Sequence, residues 1–257
     1  MNLAEIVGII QSGEIYRETI WFTIPEGFKV EEIAAKLAEE ELADEEKFLY
    51  LASNPSERIL STFPYLLEYD SSDVEYLLEG YLFPDTYEIT VESDEEEIIL
   101  LMLGRLDQVI SLPDLAGALQ EAEYSLHEIL TLASIVEREG QVDHERDLIA
   151  GVFYNRLRIG QLLESCATVQ YVLGETKEFL TTADTRTPSP YNTYINAGLP
   201  PGPIASPGEA SIRAALFPEE SDFFYFNSKY DGTGEHFFSR TLQEHNANVN
   251  KAEQNLD

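Results

Sequence analysis

Residues 126–140 read LHEILTLASIVEREG, and the reading of the whole chain turns on them. Leu126, Ile129, Leu132, Ala133 and Val136 recur at helical spacing, which predicts a core-facing helix over residues 126–138. Its end carries Glu137 and Glu139, with Gly140 next in line. At about 100° per residue the two carboxylates leave the axis on roughly opposite sides. With Val136 as the middle of the apolar face, Glu139 lies about 60° away and Glu137 about 100° away. That spacing favours Glu139 slightly as the partly desolvated acid, with Glu137 as the fallback. Burial and the negative end of a helix dipole both disfavour a further negative charge, so an acid in that place holds its proton more readily and can give it to a leaving oxygen. Gly140 would let a bulky ligand approach the backbone. Taken alone, charges at a helix end are more often simply solvated.

Working outward, residues 20–24 form a β-rich run closed by Pro25-Glu26-Gly27, a strand and a turn. Residues 30–41 carry Val30, Ile33, Ala34 and Leu37 on one helical face. Residues 44–52 predict a second helix with Asp44 as N-cap and Phe48, Leu49 and Leu51 partly buried. Residues 81–91 (YLFPDTYEITV) read as extended. Together these predict a βααβ module over residues 18–92, preceded at residues 1–17 by a short helix or linker. The acidic run 92–97 then opens a helix reaching Val109, its charges matching the positive end of the helix dipole.

Downstream of the central helix, residues 144–159 (HERDLIAGVFYNRLRI) predict another helix. Residues 199–208 (LPPGPIASPG) cannot form a regular element, because four prolines remove donors and fix φ. A short helix over 211–216, a buried strand at 223–227 (FFYFN), a turn at 231–234, a partner strand at 236–239 and a closing helix over 242–251 complete the pattern. The fold class is α+β, with residues 93–257 as a mixed second domain.

Composition bounds the function. The 257 residues include 16 Lys and Arg against 48 Asp and Glu, a formal net charge of −32. Such a surface repels phosphates, so nucleic acid and anionic lipid headgroups are poor partners. The single cysteine, Cys166, excludes an internal disulfide. Its apolar neighbours and lack of an adjacent base predict a small buried residue rather than a nucleophile. The first ten residues are apolar but contain Glu5 and no basic leading region, so they do not read as a signal peptide. Either the protein is cytoplasmic, or a membrane anchor lies outside this chain. The four histidines show no metal-ligand spacing, and neither metal nor cofactor is expected.

An ordered set of blocks sharpens the reading: EGYLFPDTY (79–87), LASIVERE (132–139), VFYNRLRIG (152–160), LESCATVQY (163–171), SPYNTY (189–194), GLPPGPIASPG (198–208) and GEHFFSRTLQEHN (234–246). In content and order these resemble the endolytic murein transglycosylase (MltG or YceG-like) family. The resemblance implies a LysM-like carbohydrate-binding module before a lysozyme-like catalytic domain. It further implies a glutamate closing a helix as both acid and base, which falls on Glu139, although family members often carry Thr where this chain has Gly140. It implies peptidoglycan glycan strands as substrate, cleaved internally at the bond between N-acetylmuramic acid and N-acetylglucosamine to leave 1,6-anhydro ends. An N-terminal transmembrane anchor, an extracytoplasmic location and peptidoglycan synthases as partners are implied as well.

Gln170, Asn192 and Tyr194 match these blocks and suit hydrogen bonding to acetamido and hydroxyl groups, though capping loops is an equal use for such residues. Asn155 and Arg156 on a helix, and Glu79 at the junction of the two domains, are further substrate-binding candidates. The proline-rich loop is expected to be a rigid wall of the cleft. The contrasting reading is a non-catalytic wall-binding or scaffolding protein, whose behaviour would be indifferent to loss of Glu139.

Overall fold

The computed structural model describes residues 18–256; the segment expected at residues 1–17 lies outside the described residues. Strand β1 (Thr19–Thr23) pairs antiparallel with β2 (Thr86–Thr90), Thr19 opposite Thr90 and Thr23 opposite Thr86. Between them run α1 (Val30–Glu39), α2 (Glu45–Ser53), α3 (Glu57–Thr62) and a 3-10 turn at Pro64–Leu67. Phe22 stacks on its cross-strand partner Tyr87 at 5.4 Å, over Val30, Ile33, Ala34, Leu37, Phe48 and Ala52. Asp44 caps α2 by accepting from the Lys47 amide, as the sequence predicts. Only the second half of residues 81–91 is strand, because Phe83 and Pro84 turn the chain inward before β2 begins.

Helix α4 (Glu95–Ile110) starts at the Asp94 cap and is followed by α5 (Pro113–Glu121). The central helix α6 (Leu126–Glu139) opens with a reciprocal capping box between Ser125 and Glu128, a device that stabilises by about 1 kcal/mol. Every residue from Ile129 to Val136 is buried, Thr131 and Ser134 included. A 3-10 turn (Asp143–Glu145), α7 (Arg146–Arg158), α8 (Cys166–Leu173) and α9 (Glu209–Leu216) follow, then the hairpin β3 (Tyr225–Ser228) with β4 (His236–Ser239), and last α10 (Leu242–Glu253). The fold is α+β, with ten helices and two small antiparallel sheets among the described residues. Strand β3 is half-buried throughout rather than buried, since all four of its residues line a groove.

Apolar side chains from Phe22 to Ala215 form one continuous core, so the two expected domains share their interior. The proline-rich loop joins them. Residues 202–208 are buried, and the loop exchanges backbone hydrogen bonds with the first turn of the chain: Gly27 N to Ser206 O and Ser206 N to Phe28 O, both 2.8 Å. Its Ile204 amide donates to Ser134 Oγ on α6 at 3.0 Å, and its Pro201 carbonyl lies 2.7 Å from His127 Nε2. The loop is largely an internal strap, which its backbone tolerates because these groups find partners. Gly80, at φ +78°, lies directly under Pro203, where a Cβ would overlap the proline ring.

Gly151 in α7 meets a similar constraint, since a Cβ there would overlap the Glu219 carbonyl, whose own amide donates to Asp147 O at 2.9 Å. Alanine would raise helix propensity by up to about 1 kcal/mol, against about 1–3 kcal/mol for overpacking on fixed backbone. Gly151→Ala should therefore lower the melting temperature by a few degrees; a higher melting temperature would show that the 219 segment yields freely.

Candidate active site

The last turn of α6 sends three charged side chains in three directions. Glu137 turns into the protein. Its carboxylate accepts from Arg146 Nη1 at 3.2 Å and from the Gly208 amide, the N-cap of α9, at 2.9 Å. The two side chains of this ion pair are 6% and 9% exposed. Glu26 joins the cluster, and burial followed by the Glu137 charge pushes its carboxyl above its ordinary range. Arg138 reaches back to the Gly27 carbonyl at 3.2 Å and to Thr176 Oγ1 at 3.4 Å. Glu139 turns the other way, into a groove of about 720 Å³.

Glu139 Oε1 accepts from Ser165 Oγ at 2.5 Å and from the Ala167 amide at 3.4 Å. Ser165 is the N-cap residue of α8 yet does not cap its own helix; the glutamate stands in for it. One carboxylate oxygen therefore sits between the negative end of α6 and the positive end of α8, whose fields oppose each other. Oε2 has no hydrogen-bond partner among the described residues. Gly140 does not serve ligand approach. It is buried, and a Cβ there would press on Arg146 Cγ and the Val136 carbonyl.

The predicted substrate-binding residues divide. Gln170, Tyr194 and Arg156 line the groove with Glu139. Gln170 donates to the Lys177 carbonyl at 2.9 Å, and the Tyr194 hydroxyl lies 3.1 Å from Cys166 Sγ. Arg156 is pinned by the carbonyls of Phe224 (2.6 Å) and Leu163 (2.7 Å) and lies over the Tyr225 ring. Asn192 and Asn155 do not reach the groove. Asn192 is fully buried, donating to the Thr185 and Thr187 carbonyls and accepting from the Tyr194 amide, so it folds the loop that presents Tyr194. Asn155 donates to the carbonyls of Ser221 and Phe223 and fixes the approach to β3. Glu79 lies buried at the junction, away from the groove lining.

Cys166 departs from expectation: it is exposed, on the groove wall at the start of α8. Groove residues that the sequence pattern did not single out include Tyr225, Tyr230 and Glu164, the last held 3.6 Å from Arg156 Nη1; the buried Ser165 behind Glu139 is a further one. Ser165 carried a signal, being a serine at a helix start, but its use outside its own helix did not show. His236 is packed against Glu145, which takes both its backbone and ring N–H, and so locks the β3–β4 hairpin to the start of α7.

Comparison with known proteins places this geometry in a family. The profile of the YceG-like family matches residues 1–251. An endolytic murein transglycosylase of Bacillus subtilis is 35% identical over 251 residues, 96% of this chain and 68% of that protein. One of Streptococcus pneumoniae is 34% identical over 242 residues, 88% of this chain but 43% of its own length. The crystal structure of a yceG-like protein from Listeria monocytogenes superposes with a TM-score of 0.80 at 37% identity, covering 96% of this chain and 81% of that one. The chain belongs to the YceG-like family.

Proposed function

We propose that this chain is an endolytic murein transglycosylase in which Glu139 is the single acid and base. The observation that carries the reading is the posture of Glu139: one oxygen held by Ser165 and Ala167, the other without a hydrogen-bond partner among the described residues, on a side chain that lines a groove of polar and aromatic residues. The name shared by the Bacillus and pneumococcal relatives supports the same substrate. Glu139 gives its proton to the oxygen leaving C1 of an N-acetylmuramyl unit as the C1–O bond breaks. As a carboxylate it then takes the proton of that sugar's C6 hydroxyl, while the C6 oxygen bonds to C1 and closes a 1,6-anhydro ring. No water is consumed, and the intramolecular attack benefits from high effective concentration.

Residues 18–92 are read as a LysM-like glycan-binding unit and residues 93–257 as the catalytic part, although the two share a core. An N-terminal membrane anchor on the extracytoplasmic face and contact with peptidoglycan synthases complete the proposal. Among the described residues no helix is long and apolar enough to cross a membrane. A hydrolase reading draws on Glu164, a second groove carboxylate, whose Oε2 lies 3.6 Å from Arg156 Nη1. Mass spectrometry of digested peptidoglycan decides: 1,6-anhydro ends are expected, and reducing ends, one water heavier, would overturn the transglycosylase reading.

A further inference from the structure

Glu79 is a buried acid that the proposed reaction leaves unused. It is 1% exposed and sits just before Gly80 where the N-terminal unit that holds β1 and β2 meets the rest of the chain. Its carboxylate accepts from the amide of Val30, the first residue of α1, at 3.2 and 3.4 Å, and from the hydroxyl of Tyr171 on α8 at 3.4 Å. Helix α8 is thus tied near its end to Glu79 and at its start to Glu139, through Ser165 and Ala167. A helix of eight residues is a rigid lever about 12 Å long. Tyr171 also packs on Tyr191, at 5.0 Å between ring centroids, in the loop that presents Tyr194 to the groove.

We propose that Glu79 is a positioning residue: by holding Tyr171 it fixes α8, and so the Ser165 and Ala167 donors that orient Glu139. Its role rests on the reading of Glu139 as the acid. The seating of the N-terminal unit on α8 is thereby felt at the reacting carboxylate.

The junction is also sensitive to protonation. Burial pushes Glu79 up to about 8, with the Val30 amide and Lys29 working against it. The charged groups around it are Lys29 and Glu31 at the start of α1, and Asp73 and Glu75 before it in the chain; Tyr76, Tyr171 and Tyr191 complete the surround. A carboxyl raised from its ordinary 4.5 favours the packed junction fully below that value, and this contribution is gone above about 8.

Amide NMR spectra of the wild-type chain, Glu79→Gln and Tyr171→Phe, recorded from about pH 6 to about pH 9, test the coupling without relying on activity. The Ser165 and Ala167 signals should move with a midpoint near 8 in the wild type and stay still in Glu79→Gln; Tyr171→Phe should reduce the movement. Glycan cleavage supplies the second readout. Glu79→Ala should lower kcat about tenfold with KM within about twofold, and Glu79→Gln should restore it. Equal movement of the two amides in wild type and Glu79→Gln, or a kcat per folded molecule unchanged in Glu79→Ala, overturns the coupling. A wild-type chain that cleaves no glycan overturns the transglycosylase reading instead, and the amide titration still judges the link between Glu79 and α8.

Discussion

Glu139→Gln is expected to reduce glycan cleavage by roughly 10³-fold or more while leaving the fold intact. The amide has nearly the shape of the acid, and its carbonyl can still accept from Ser165 and Ala167, so α8 keeps its cap. What is lost is the proton. General acid and general base assistance each contribute typically about 10²–10⁴-fold, and here one side chain performs both in sequence, so one substitution removes both. Release of anhydro-ended fragments measures the rate, and a melting curve close to that of the parent establishes folding. Glu164→Gln is the control, because it removes a groove carboxylate already committed to Arg156 and should cost less than about tenfold. Activity in Glu139→Gln within tenfold of wild type, with Glu164→Gln inactive, would move the acid to the other wall of the groove.

What the sequence disclosed follows from how local its causes are. The first two helices between β1 and β2 were legible because Val30, Ile33, Ala34 and Leu37 repeat at helical spacing and Asp44 caps the next helix; the third, α3, and the 3-10 turn after it were not, so the expected βααβ pattern is one helix short. The end of α6 was legible as a helix terminus carrying two acids, but not their burial order. The angular argument needs one apolar face, whereas α6 is enclosed on all sides from Ile129 to Val136, so Glu137 is drawn deeper than a helical wheel allows. Helix α8 escaped because Cys-Ala-Thr-Val-Gln-Tyr-Val-Leu has weak helix propensity and no side-chain cap of its own; its cap arrives from Glu139, 28 residues from the Ala167 amide whose hydrogen bond it accepts. Asn192 and Asn155 look like sugar-binding amides, yet their donors are spent on carbonyls that only folding brings near. The burial of residues 202–208 was hidden for the same reason, since prolines reveal an irregular path but not who receives its backbone groups.

Glu137→Leu should produce the opposite phenotype to Glu139→Gln: a large loss of stability, with the chemistry of surviving molecules intact. Leucine fits the space of the carboxylate but takes from Arg146, 9% exposed, its buried ion-pair partner, leaving the Glu26 carboxyl as the other acid of the cluster. The remaining partners of Arg146 are Ser211 Oγ at 2.8 Å and Asp143 at 3.2 Å, and Asp143 is 87% exposed, so water screens most of its charge. The Gly208 amide at the start of α9 loses its acceptor as well. Removing one member of a buried ion pair costs about 3–5 kcal/mol, which in a chain of this size lowers the melting temperature by roughly 10 °C. The double variant Glu137→Leu with Arg146→Met should recover much of that loss, because the cost lies in the stranded charge more than in the missing attraction. Calorimetry of the three variants, read beside cleavage per folded molecule, separates the two acids of one helix turn. A Glu137→Leu chain that melts like the parent and cleaves nothing would mean that the inward carboxylate, rather than the one facing the groove, handles the proton.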